Sequence, residues 1–93
     1  MQTSRILTHG KIETLKEGFR LPHNSIFSVY VRPKEGIVET DLLVNCRCIC
    51  DDKPSDLPVP LNEWTPAAIV EITPNAIELD MYDVYWGAGN TNY

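Results

Sequence analysis

The chain has 93 residues, of which 43% are apolar, and carries a formal charge of −5 at neutral pH. That length supports one domain with one modest core, and that apolar fraction argues against global disorder. No stretch approaches the ~20 apolar residues of a membrane-spanning helix, and the N-terminal "MQTSRILTHGK" lacks the apolar run of a signal peptide, so synthesis in the cytosol is expected.

Charge is unevenly spread. Residues 1–53 hold all eight Lys and Arg against seven acidic residues, whereas residues 54–93 hold six acidic residues and no cation. An acidic half without a cation repels phosphate, which disfavours nucleic-acid binding through it. It suits a basic protein surface, or simply water.

In chain order the elements read as short strands. "RILTHGKIETL" has two apolar stretches around His9-Gly10, which predicts a tight hairpin there. "SIFSVYV" (25–31) is β-branched and aromatic, and "RPKEG" (32–36) reads as a turn, with Pro33 fixing φ and Gly36 supplying a positive one. "DLLVNCRCIC" (41–50) has a period of two. Leu42, Val44, Cys46, Cys48 and Cys50 share one face, and Leu43, Asn45, Arg47 and Ile49 the other. "DDKPSDLPVP" (51–60) reads as a loop, and five of the seven prolines lie between 54 and 74, which excludes a long helix. Asn62 offers a cap for a short helical turn, but Pro66 and the pair Ile69-Val70 favour an extended "AAIVEI". "AIELDMYDVYW" (76–86) alternates as Ile77, Leu79, Met81 and predicts the last strand. Together these elements predict an all-β fold, a small single-domain antiparallel β-sandwich or barrel with short loops. Residues 1–86 form the β-domain and 87–93 an extended C-terminal tail.

The chemistry-bearing residues do not converge in sequence. Cys46, Cys48 and Cys50 lie at strand spacing, which holds same-face thiols roughly 7 Å apart; this is poor for a disulfide, and structural zinc wants four ligands in tight turns. Buried small hydrophobes are the expected role, and replacing the three by Ala or Val is expected to cost ~1–3 kcal/mol of stability and leave binding intact. Glu78 and Asp80 share a predicted strand face, with Asp83 following, but the glycine turn and bidentate glutamate of an EF-hand loop are missing, and no apolar pocket splits their acidities. His9 and His23 sit at turn signals. "WGAGN" has a G-x-G without the phosphate fingerprint that would follow it. No enzyme activity, cofactor or metal is therefore expected.

Trp64 and Trp86 are the informative residues. One buried tryptophan suits a core of this size, and a second beside Tyr85, ahead of the polar "GAGNTNY", reads as an anchor on a partner. The expected partner-binding residues are Trp64, Tyr85, Trp86, Gly87, Gly89, Asn90, Asn92 and Tyr93. In this reading residues 87–93 extend onto a neighbouring chain, the glycines passing close to its surface; the competing expectation is that the tail folds back and covers an edge of its own sheet.

Three stretches, "LPHNSIFSVYVRPKEG" (21–36), "LNEWTP" (61–66) and "YDVYWGAGNTNY" (82–93), resemble small virion proteins of crAss-like tailed bacteriophages, most nearly the head auxiliary, or capsid decoration, type. The resemblance implies a non-enzymatic role. Many copies would sit on the capsid exterior, bound to the major capsid protein or another virion protein, after assembly in the host cytoplasm, with no contact to nucleic acid or membrane. Other expectations are a neck, portal-ring or tail component, or a free acidic inhibitor of a basic host protein.

Overall fold

The computed structural model describes residues 5–90. Six strands arise from the β-branched and aromatic stretches: β1 (Arg5–Lys11), β2 (Ser28–Pro33), β3 (Asp41–Cys48), β4 (Ser55–Pro60), β5 (Ile69–Ile72) and β6 (Tyr82–Asn90). They form two three-stranded antiparallel sheets, ordered β1-β6-β2 and β4-β3-β5. The expected small all-β antiparallel domain is what the chain forms. Its one helical element among the described residues is a 3-10 turn at Pro22–Asn24.

Alternation along the strands builds the core. Val29, Val31 and Val84 from the first sheet meet Val44, Cys46, Val59, Ile69 and Ile72 from the second, all essentially without solvent exposure. Each such burial stabilises by roughly 1.5–3 kcal/mol, which is why register is so strongly held here. Along one side, bridges pairing Phe27 with Ile69 and Phe19 with Ile72 stitch the layers together.

The segment 61–65 closes the remaining edge of β2. The Asn62 N–H donates to the Val31 carbonyl at 2.8 Å, and both the Thr65 N–H (2.9 Å) and its hydroxyl (3.1 Å) donate to the Val29 carbonyl. Thr65 is thus buried but satisfied. Asn62 adopts φ 65° and caps no helix. This strap decides where Trp64 points.

Four local expectations are corrected. No hairpin forms at His9-Gly10, because β1 runs straight through it. Gly10 is there for close approach: a Cβ at this position would lie 2.7 Å from the Trp86 indole nitrogen. Residues 55–60 are strand β4 rather than loop. Pro58 and Pro60 stand two apart, so both nitrogens fall on one side, and an edge strand needs no donor on its outer side. The last strand starts at Tyr82, not 76. A turn with Glu78 accepting from the Met81 N–H (3.0 Å) and the Tyr82 N–H (3.1 Å) inverts the parity. Tyr82 and Val84 therefore face the core while Met81 is exposed.

The fourth correction concerns the tail. The chain does not leave its own sheet at Gly87, since β6 continues to Asn90 as the central strand, with Ala88, Gly89 and Asn90 opposite Thr8, Ile6 and Arg5 of β1. Pairing with β2 ends at Gly87, so up to that residue β6 spends its backbone donors and acceptors inside its own sheet on both sides, and residues 88–90 do so on the β1 side. Asn92 and Tyr93 lie outside the described residues.

Candidate interaction surface

The rows of the β1-β6-β2 sheet place a polar and aromatic set on its outer face. Lys11, Tyr85 and Tyr30 stand opposite one another across the three strands, and Asp83 and Arg32 form the next row on β6 and β2. Each alternates with a core residue, so burial of Val29, Val31 and Val84 forces these side chains outward.

Three rings cluster there. Tyr30 packs edge-to-face on Trp64, with centroids 5.5 Å apart, and on Tyr85 at 6.4 Å. Each pair contributes about 0.5–1.5 kcal/mol beyond its buried area, which holds the cluster in one geometry. Trp64 keeps 38% of its surface exposed, a large share for a tryptophan. Arg32 borders the cluster. Its guanidinium carbon is 5.9 Å from the Tyr85 ring centre, and Nη2 donates to the Tyr85 hydroxyl at 3.4 Å and to Asp83 Oδ2 at 3.3 Å. Lys11 Nζ approaches the other Asp83 oxygen at 3.5 Å. Burial of Asp83 opposes its ionisation, but the Arg32 hydrogen bond and the charges of Lys11 and Lys34 outweigh that and hold its carboxyl below the ordinary range. Asp83 is thus charged and locally neutralised at neutral pH.

The expected partner-binding residues separate. Trp64 and Tyr85 meet in the cluster. Trp86, next in sequence to Tyr85, points to the opposite face, where its indole lies over Gly10 and 6.0 Å from the Phe19 ring, packed against the core. Gly87 is buried between His9 and Ser28 in the sheet. Tyr30, Arg32, Lys11 and Lys34 were not singled out from sequence. The signal for three of them was present in "SVYVRPK", where Tyr30, Arg32 and Lys34 alternate with valines and a proline.

The other sequence candidates disperse. Glu78 and Asp80, expected on one strand face, lie in the turn before β6, beside a shallow depression that also holds Glu13 and Lys16. Among the described residues no three of His, Cys, Asp and Glu are placed to hold a metal. Cys46 is buried, Cys48 half-buried, and Cys50 exposed in the turn after β3. Burial, then the neighbouring Cys48, pushes the Cys46 thiol from 9.0 up to about 12. Burial also raises Cys48. A thiol raised in the folded state stabilises fully below its ordinary value, so this contribution is complete below pH 9 and is lost as pH climbs toward about 12. Iodoacetamide on the folded protein at neutral pH is expected to modify Cys50 alone, and all three cysteines after denaturation, as read by mass spectrometry. Native modification of Cys46 at the rate of Cys50 would show that β3 does not bury it.

Comparison with protein-family models, curated proteins and solved structures returns no match to this chain.

Proposed function

We propose that the chain is a non-enzymatic structural protein of a bacteriophage virion, a head auxiliary or decoration protein that binds the outside of the capsid lattice through the outer face of its β1-β6-β2 sheet. The observation that carries the docking reading is the ring cluster of Trp64, Tyr30 and Tyr85, held in place by edge-to-face packing yet open to solvent at Trp64. Interfaces concentrate their energy in such aromatic and arginine anchors. Placement on a virion rests on the resemblance of residues 21–36, 61–66 and 82–93 to small virion proteins. A modest patch suits a repeating shell, because many weak contacts add up across copies.

The test is quantitative mass spectrometry of purified virions, followed by rebinding to particles of a phage from which this gene is deleted. Wild-type protein is expected at high, fixed copy number per particle. Trp64→Ala is expected to fold normally and rebind about thirtyfold more weakly, the loss of roughly 2 kcal/mol typical of an anchor. Deletion of residues 91–93, which leaves β6 whole, tests the remaining part of the tail separately. A soluble monomer absent from particles and bound to one basic host protein would favour the inhibitor alternative and defeat this proposal.

A further inference from the structure

We infer that the outer face of the β1-β6-β2 sheet recognises an acidic surface on its protein partner. This rests on the docking reading above and adds the chemistry of what is docked. The chain as a whole is acidic, at −5, yet its two sheet faces differ in sign. Around the ring cluster, Lys11 and Arg32 pair with Asp83, and Lys34 follows Arg32 beyond the end of β2, its N–H donating to the Met81 carbonyl at 2.9 Å; these three cations stand against Asp83 and the exposed Glu63 that precedes Trp64. On the outer face of β4-β3-β5 one cation, Arg47, stands among Asp41, Asp56 and Glu71. Residues far apart in sequence thus gather most of the face's positive charge beside its aromatics.

The cations are available. The Lys11 and Arg32 side chains remain 44% and 56% exposed although both touch Asp83. Lys34 is exposed and makes no ion pair among the described residues. Arg32 is held at its Nη2 end by Asp83 and Tyr85, which leaves other guanidinium N–H groups free to meet a carboxylate with little further ordering.

A nucleic acid fits this face less well. Tyr30 packs edge-to-face on both Trp64 and Tyr85, so the rings do not offer the open parallel faces on which successive bases stack. The chain's net negative charge also repels a polyanion at long range, whereas a few carboxylates on a protein feel mainly the local cations. A second copy is also a poorer fit. Two of the three carboxylates on its acidic face are already engaged, Asp56 by Asn45 at 2.9 Å and Glu71 by Arg47 at 3.4 Å.

The experiment uses full-length protein and particles lacking it. Lys34→Glu is expected to leave the melting temperature unchanged and weaken particle binding by about three- to tenfold at low salt. Lys34→Arg is expected to bind as wild type, and wild-type binding to weaken as salt rises. If Lys34→Glu and salt have no effect while Trp64→Ala abolishes binding, the docking reading stands and the acidic partner is excluded. If Trp64→Ala binds as tightly as wild type, the docking reading itself falls. Salt-sensitive quenching of Trp64 fluorescence by an oligodeoxythymidylate would assign the face to single-stranded nucleic acid instead, and concentration-dependent dimerisation lost in Lys34→Glu would assign it to a second copy.

Discussion

Trp86→Ala is expected to lower the stability of the folded domain by about 3 kcal/mol, toward the lower end of the range for removing a packed tryptophan, because this side chain is only partly buried. For a domain of this size that is a fall of roughly 12–24 °C in melting temperature. The indole spans from Gly10 to Phe19, which in turn packs edge-to-face on buried Phe27 at 5.1 Å. Removing it leaves a void with no side chain on Gly10 to fill it. Tyr85→Ala is expected to behave in the opposite way, costing about 1 kcal/mol through its lost ring contact and reducing binding to particles. Thermal unfolding of both variants reads the difference directly. Equal destabilisation, or a larger loss for Tyr85, would contradict the assignment of Trp86 to the core face and Tyr85 to the outer one.

Gly18→Ala is expected to cost about 3 kcal/mol, the sum of a left-handed backbone and a steric conflict. Gly18 adopts φ 78°, and a Cβ there would sit 2.5 Å from the Ile72 carbonyl oxygen. That oxygen accepts the Phe19 N–H at 2.9 Å, and the Ile72 N–H returns a bond to Phe19 at 2.9 Å, so the conflict falls on one of the bridges joining the two layers. Gly36→Ala is the matched control. It has φ 93°, but no atom lies within 4 Å of its Cβ position, so only the backbone cost of ~1–2 kcal/mol applies. Denaturant unfolding of the two variants isolates the steric part as the difference. A Gly18→Ala cost no larger than that of Gly36→Ala would mean that the chain relaxes around the bridge.

Local chemistry was legible where a strand meets one sheet face and a turn needs one residue type. "DLLVNCRC" shows its period because Val44 and Cys46 face the core while Leu43 faces water, and Gly36 marks its turn because that backbone angle suits glycine. The same rule of alternation applied to "DVYW" separates Tyr85 from Trp86, since adjacent strand residues point to opposite faces. Which of the two points inward was not legible. It depends on the turn at 78–81, which shifts the parity set by Ile77, and no local residue type announces that shift.

Composition, proline and glycine placement, and period-two patterning by themselves determined a small all-β chain with an acidic second half and with Cys46 and Cys48 in one strand, whereas Cys50 falls in the turn beyond it. They did so because propensity, turn geometry and burial on one face act over a few residues. The tertiary structure alone decided that "GAGN" continues β6 alongside β1, with Gly87 also paired to β2, that Pro58 and Pro60 belong to an edge strand, and that Lys11, Arg32 and Lys34 stand near Trp64 and Tyr85 of the acidic half. These depend on which strands become neighbours. That choice is made by burying Val29, Val31, Val44, Ile69, Ile72 and Val84 in one core, a gain shared by residues up to the length of the domain apart and invisible in any single stretch.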